Sequence, residues 1–288
     1  MSEIVIDDLS YTYPKSVEQA LEGISLTIES GSFAVLTGFN GSGKTTLCMA
    51  IAGAVPHYFG GAMAGNVTVG SLKTTESGIC DIANTVGLVM QDYESQLVTL
   101  TVEEEVSFGL ENRGVECSEI ARLVKEALQM VGLSGKERQH TAALSGGQKQ
   151  RLAIASVLAT KPSILVLDDP TSALDPEGAC ELYELLYQLN QDHGLTIVVV
   201  EHDLSLALPY ASNFILLENG RIEKKGTPAE VLQYMGIKQQ YACVLPELWK
   251  LKLGLETDSL CFSDWSTSEE AANELLHCVR SKEAEKSA

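Results

Sequence analysis

Gly38-Phe39-Asn40-Gly41-Ser42-Gly43-Lys44-Thr45 follows directly on the short apolar run Phe33–Thr37, and the reading of that junction decides the fold. The octet meets the pattern G-x-x-x-x-G-K-[ST] at every fixed position. The run before it is strand-sized and apolar, and 44–54 after it reads as a helix. Each residue type has a physical reason. Glycines let backbone N–H groups turn inward around phosphates, and a helix opening near Gly43 adds the positive end of its dipole. Lys44 supplies a cation for the β- and γ-phosphates, while the Thr45 hydroxyl suits Mg²⁺. The phosphate-contacting set is Gly38, Asn40, Gly41, Ser42, Gly43, Lys44, Thr45 and Thr46. A chance glycine-rich turn would not come framed by a strand and a helix.

Working outward, Ile164-Leu165-Val166-Leu167-Asp168 is a second apolar run, and it ends in an acid. In a parallel sheet that acid sits at the carboxyl edge, where ligands bind. Asp168 is therefore the candidate Walker B carboxylate, holding Mg²⁺ through water. A phosphate loop with such a strand describes a nucleoside triphosphatase. Thr196–Val200 is another run that expects burial on both faces. Residues 214–217, Asn219-Gly220 and Ile222 read as a hairpin. Thr227-Pro228-Ala229-Glu230 and Thr101-Val102-Glu103-Glu104 are capping boxes that start helices, the first with a proline in its first turn. Strands and helices alternate, so the class is α/β. From about 92 to 160 the pattern is helical, as expected of an insertion in the α/β core, and after about 237 it is helical again. The last residues, 281–288, are expected to be disordered.

Composition bounds the partners. The formal net charge of −19 argues against nucleic acid and anionic lipid, which both need a basic face. No apolar run reaches the ~18–20 residues that span a bilayer. The start, Met1-Ser2-Glu3-Ile4, lacks the basic and apolar regions of a secretory signal, so a cytoplasmic location is expected. The 7 cysteines include no Cys-x-x-Cys and read as reduced, mostly buried thiols.

Leu144-Ser145-Gly146-Gly147-Gln148 precedes a helix at 149–160 and forms a second anion cradle from a hydroxyl, glycine amides and a helix start. One nucleotide does not need two such cradles in one chain. Two chains arranged head to tail would use both. Lying about 100 residues after the phosphate loop and about 20 before Asp168, the pentapeptide is specific. Over roughly residues 3–235 the sequence resembles the ATP-binding cassette family. The resemblance implies a P-loop core of ABC ATPase type with a mixed sheet, a helical signature subdomain and a small C-terminal helical extension. It implies ATP and Mg²⁺ as ligands, with Ser145, Gly146, Gly147 and Gln148 facing the nucleotide of a partner chain. It further implies that Tyr13 stacks on adenine, with Tyr11 as the alternative. Gln91 would touch Mg²⁺ or water and link to a transmembrane partner, Ser172-Ala173-Leu174-Asp175 would cross the dimer interface, and His202 would contact the γ-phosphate.

One position departs from the family pattern. Asp169 stands where a Glu usually polarises the attacking water, so the catalytic set Lys44, Gln91, Asp169 and His202 contains a base one methylene short. Val55-Pro56-His57-Tyr58 with 60–69, the stretch 101–112, Leu245-Pro246-Glu247-Leu248 and 267–276 resemble the energy-coupling factor (ECF) type of importer ATPase. That type implies a peripheral protein at the cytoplasmic side of the membrane. Its partners are a second ATPase, a transmembrane coupling subunit and a small substrate-capturing membrane protein. The intact cradle beside a shortened base favours a heterodimeric pair, with a homodimer as the alternative. A non-ECF importer or exporter is the competing reading of the whole, and a soluble non-transport ABC ATPase is a further one, disfavoured by the acidic balance. Glu103, Glu104 and Glu105 are candidates to receive basic coupling helices, although a helix dipole accounts for them equally well. The domains are then 1–237, with the helical part at about 92–160, and 238–288.

Lys44→Ala removes the cation expected at the β- and γ-phosphates. Hydrolysis is expected to be abolished and ATP binding greatly weakened. ATPase rate and nucleotide affinity in the reconstituted complex check this, and near-normal values for both contradict the assignment.

Overall fold

Apolar runs without a polar face fit strands covered on both sides, and the computed structural model places them so. It describes residues 4–256 and 261–287. Strands β3 (Phe33–Thr37), β7 (Ile164–Asp168) and β8 (Thr196–Val200) are buried at every position. They are central in a six-stranded sheet completed by β6 (Val86–Val89), β9 (Asn213–Glu218) and β10 (Arg221–Gly226), in the order β10-β9-β3-β8-β7-β6. Neighbours are parallel except β9 and β10, the hairpin expected around Asn219-Gly220, so the sheet is mixed.

Strand side chains alternate between faces, and the two faces feed two different cores. Phe33, Val35, Leu165, Leu167, Ile197 and Val199 point to one. Ala34, Leu36, Ile164, Val166, Val198 and Val200 point to the other. The first core is closed by α4 (Val102–Asn112), α5 (Cys117–Met130), α6 (Gly146–Leu158) and α7 (Pro176–His193), with α8 (Leu204–Ala207) and α9 (Pro228–Ile237) at its end. The second is closed by α1 (Lys44–Ile51) and by a separate antiparallel sheet. That sheet holds β1 (Ile4–Thr12), β2 (Leu21–Ile28), β4 (Ala62–Val69) and β5 (Leu72–Lys73) in the order β2-β1-β4-β5. Short α2 (Ala54–His57) and α3 (Ile79–Thr85) complete this side.

The sequence reading did not anticipate the antiparallel sheet, for a physical reason. The register of β1 shifts between Ile6 and Leu9 and again between Leu9 and Tyr11, which breaks the period-2 pattern. The thiols also depart from expectation. Cys48 is buried, but Cys80, Cys117, Cys180, Cys243 and Cys261 are exposed at positions outside both cores. Among the described residues no helix is long and apolar enough to cross a membrane.

Beyond α9 lie α10 (Glu247–Leu255) and α11 (Ser268–Ser287). Both tryptophans of the tail are buried, Trp249 in the first core and Trp265 with Phe262 and Ala271, and the Trp249 indole N–H donates to the Trp265 carbonyl at 3.0 Å. The buried Lys252 ammonium lies 4.3 Å from the Trp249 ring centroid and bonds Asp264 at 2.6 Å. Of the end expected to be disordered, 281–288, the backbone of 281–287 continues α11, while the side chains of those residues and the whole of 288 lie outside the described ones.

The three glutamates that open α4 have different fates. Glu104 closes the capping box, accepting from the Thr101 N–H at 2.9 Å. Glu105 is buried, and one of its oxygens accepts from the N–H groups of Val98 and Thr99 at 2.9 Å each and from the Thr99 hydroxyl at 2.8 Å. Only Glu103 is left pointing outward and uncommitted. Glu105→Ala orphans the Val98–Thr99 turn and is expected to cost about 1–3 kcal/mol. Glu105→Gln keeps an acceptor and should lose less. Urea midpoints at unchanged slope report this, and an alanine variant as stable as the parent contradicts it.

Candidate functional site

Four parallel strands of the mixed sheet deliver their carboxyl ends to one cleft of about 640 Å³, lined by Tyr13, residues of the phosphate loop, Gln91, Asp168, Asp169 and His202. β3 runs into the loop, β6 into Gln91, β7 ends in Asp168, and β8 leads to His202. Of the expected phosphate-loop residues, Asn40, Gly41, Gly43, Lys44, Thr45 and Thr46 line the cleft beside Gln91, Asp168, Asp169 and His202, while Gly38 and Ser42 do not. The signature residues lie elsewhere. Ser145, Gly146, Gly147 and Gln148 line a different cleft of about 570 Å³, with Leu174 and Asp175.

The loop backbone requires its glycines. Gly38 has φ 139°, and a Cβ there would lie 2.1 Å from the Leu217 carbonyl oxygen. Gly43 has φ 101°, with a Cβ position 2.6 Å from the Ala20 carbonyl oxygen. Gly43 also leads α1 without a side-chain cap, which leaves the first N–H groups of the helix available to an anion. The Lys44 ammonium is buried and donates to the carbonyls of Gly38 at 2.8 Å and Phe39 at 2.9 Å. Burial pushes its pKa down, opposed by Asp168 and Asp169. The Ser42 hydroxyl is buried without a hydrogen-bond partner. A loop closed to a Cβ at Gly38 and Gly43, an orphaned hydroxyl at Ser42 and a buried ammonium at Lys44 together fit a bound triphosphate.

Asp168 is buried, and burial raises its carboxyl pKa while a hydrogen bond with Thr45 works against the rise. Thr45 and Asp168 present the hard oxygens that Mg²⁺ prefers. Asp169 is held in the left-handed region at φ 50°, a conformation Asp tolerates better than most residues. Its Oδ2 accepts from Gln91 Nε2 at 2.7 Å. That bond occupies the Gln91 amide nitrogen and leaves the amide oxygen for a cation or water. Tyr13 donates to or accepts from the Thr46 hydroxyl at 3.1 Å and lies in the cleft. Tyr11, the alternative, is buried and bonds the Gly60 carbonyl at 2.7 Å.

Ser145 and Gln148 close a capping box on α6, with Ser145 Oγ accepting from the Gln148 N–H at 3.4 Å. That helix start, Ser145 to Gln148, lines the second cleft.

Sequence reasoning missed Glu201. It is buried and accepts from the Thr171 hydroxyl at 2.8 Å, the Tyr183 hydroxyl at 2.9 Å, and the N–H groups of His202 at 2.8 Å and Asp203 at 3.1 Å. Burial raises its pKa against these four bonds. One carboxylate so joins the loop after Asp169, helix α7 and the backbone under His202. The available signal was an acid placed directly after an unbroken apolar strand, a costly position unless its oxygens are satisfied.

A family model described as ABC transporter matches residues 21–172. A putative ABC transporter ATP-binding protein of Pyrococcus horikoshii is 41% identical over 256 residues, 89% of each chain. The energy-coupling factor transporter ATP-binding protein EcfA1 of Lacticaseibacillus paracasei is 39% identical over 231 residues, 80% of this chain and 81% of that one. Among solved structures, cbiO1 from Clostridium perfringens, described as part of the ABC transporter complex cbiONQ, has a TM-score of 0.71 at 31% identity. That match covers 82% of this chain and 95% of the other.

Asp169 generates a prediction about rate. Its oxygens stand roughly 1.5 Å, one C–C bond, short of a Glu carboxylate, and a misplacement of about 1 Å costs on the order of 10²-fold. Asp169→Glu is expected to raise turnover at this site, and Asp169→Asn to abolish what remains. A Glu form no faster than the parent, beside a dead Asn form, would mean that Asp169 is already a competent base.

Proposed function

This chain belongs to the ABC transporter ATP-binding family, and from that premise we propose that it powers an ECF-type importer as one of a pair of ATPases. It is an ATPase of the cassette kind. The observation that carries the pairing is the separation of its two anion cradles: no residue lining the phosphate-loop cleft also lines the signature cleft. A triphosphate seated in the first cleft leaves the second cradle of the same chain without a use. Head-to-tail pairing lets each nucleotide lie between one chain's Gly38–Thr45 loop and the other's Ser145–Gln148 cradle. The ECF reading is supported by the identity to an EcfA1 protein and the likeness to cbiO1.

In the proposed reaction Lys44 exchanges the Gly38 and Phe39 carbonyls for the phosphates, and Tyr13 offers its ring to the adenine. Mg²⁺, held by Thr45, Asp168 and the amide oxygen of Gln91, would neutralise phosphate charge. Asp169, steadied by Gln91, orients the attacking water, and His202 lies toward the γ-phosphate. The shortened base makes hydrolysis at this chain's own loop slow. Its Ser145–Gln148 cradle serves the site of a partner carrying the usual Glu, so a heterodimer is favoured over a homodimer. Residues 1–237 form the ATPase domain, with the helical part at about 92–160, and 238–288 form the extension that contributes to pairing. A transmembrane coupling subunit seated near Gln91 and a small substrate-capturing membrane protein supply the membrane path. The chain then works as a peripheral protein at the cytoplasmic face.

Gly147→Asp tests the pairing. A Cβ at Gly147 meets only Leu174 Cδ2, at the ordinary distance of 3.8 Å, so the fold accepts the side chain. The added carboxylate should block ATP-driven closure, read by crosslinking across the pair, while ATP still binds this chain's loop. Closure at parental levels contradicts the cradle assignment. Copurification with a small substrate-capturing membrane protein separates the ECF type from other ABC transporters.

A further inference from the structure

The phosphate loop is braced from outside by the C-terminal segment. Phe39, the loop's second residue, stacks on Tyr241 with ring centroids 5.5 Å apart and planes 16° from parallel. Tyr241 is fully buried. Its hydroxyl donates to Glu218 Oε2 at 2.6 Å, and Gln240 Nε2 donates to both Glu218 oxygens at 3.2 Å each. Burial and Glu218 hold the phenol protonated far above neutral pH.

Glu218 closes β9, and the hairpin that it belongs to touches the loop twice more. The Gly220 N–H donates to the Ser42 carbonyl at 3.0 Å. The Leu217 carbonyl fills the space beside Gly38. The Phe39 carbonyl is itself one of the two that hold Lys44. From Tyr241 the chain turns directly into the extension, with the N–H groups of Val244 and Leu245 both bonded to the Tyr241 carbonyl at 3.0 Å.

We propose that Tyr241 is a positioning residue for the phosphate loop, so that the docking of the C-terminal segment sets the affinity of this chain for ATP through the Phe39–Tyr241 stack. An aromatic pair confers a preference that its buried area alone does not supply. Tyr241 therefore acts through Phe39 without meeting the nucleotide. A residue that merely filled the core would affect stability and leave affinity alone.

The inference rests on the phosphate-loop reading, so the experiment carries a reference arm for it. Equilibrium ATP binding is measured on the full chain for Tyr241→Leu, Tyr241→Phe, Phe39→Leu, the double leucine variant and Lys44→Ala. Tyr241→Leu, which keeps apolar volume, is expected to weaken ATP binding about two- to tenfold. Tyr241→Phe keeps the stack and should retain parental affinity, since Gln240 still serves Glu218. Phe39→Leu should match Tyr241→Leu, and the double variant should be no weaker than either. Parental affinity in Tyr241→Leu or Phe39→Leu overturns the proposal, as does a Tyr241 effect that persists in full on the Phe39→Leu background. If Tyr241→Leu does not fold, the Phe39→Leu and Tyr241→Phe arms decide by the same criteria. Unchanged binding in Lys44→Ala instead removes the phosphate-loop reading itself.

Discussion

A buried ammonium holding two backbone carbonyls is the interaction around which this molecule is arranged. Lys44 bonds the Gly38 and Phe39 oxygens, and burial depresses its pKa. A cation in that position needs a loop that can turn its carbonyls toward the lysine, and its N–H groups toward a ligand, within a few residues. Only glycine accepts the backbone angle and the contact at Gly38 and Gly43. The loop in turn needs a rigid strand behind it. β3 supplies that by pairing with β8 on one side and β9 on the other, with both faces buried. Sheet, cores and hairpin can all be read as support for one loop.

The consequences spread along the carboxyl edge of the sheet. Gln91 follows β6 and holds Asp169, which follows β7. Glu201 follows β8 and bonds both the loop after Asp169 and the backbone of His202. Three strand ends are therefore linked by side-chain bonds that cross from one loop to the next. A shift at Gln91, where the helical insertion begins, reaches Asp169 through a single hydrogen bond. Glu94 extends the connection by pairing with Lys149 at 2.9 Å in the signature helix α6. One hydrogen bond, from Gln91 to Asp169, joins the start of the helical insertion to the end of β7, and the Glu94–Lys149 pair ties two parts of the insertion together.

Much of this was legible in the sequence because the chemistry needs fixed residue types at fixed spacings. The phosphate loop and Asp168 announce themselves by motif and position, Gln91 and His202 through the family resemblance, and the structure brings residues of the loop together with all three in one cleft. The buried strands were legible because runs such as Ile164–Asp168 leave no polar face. What was missed depends on long-range contact. The antiparallel sheet is interrupted by irregular register in β1. Glu105 reads as an exposed helix-start acid until the Val98–Thr99 turn is seen folded over it. The stack of Phe39 on Tyr241 joins residues about 200 apart, and no local pattern marks either ring.

On the proposed pairing this chain binds ATP alone but completes the hydrolytic site only against a second cassette. The most direct measurement is ATP turnover per chain as a function of the concentration of the copurifying cassette, with sedimentation recording the particle size at each point. Negligible turnover is expected where one chain forms each particle, rising to a plateau as pairs assemble. Full turnover by the single-chain particle, unchanged on adding the second cassette, would contradict the pairing.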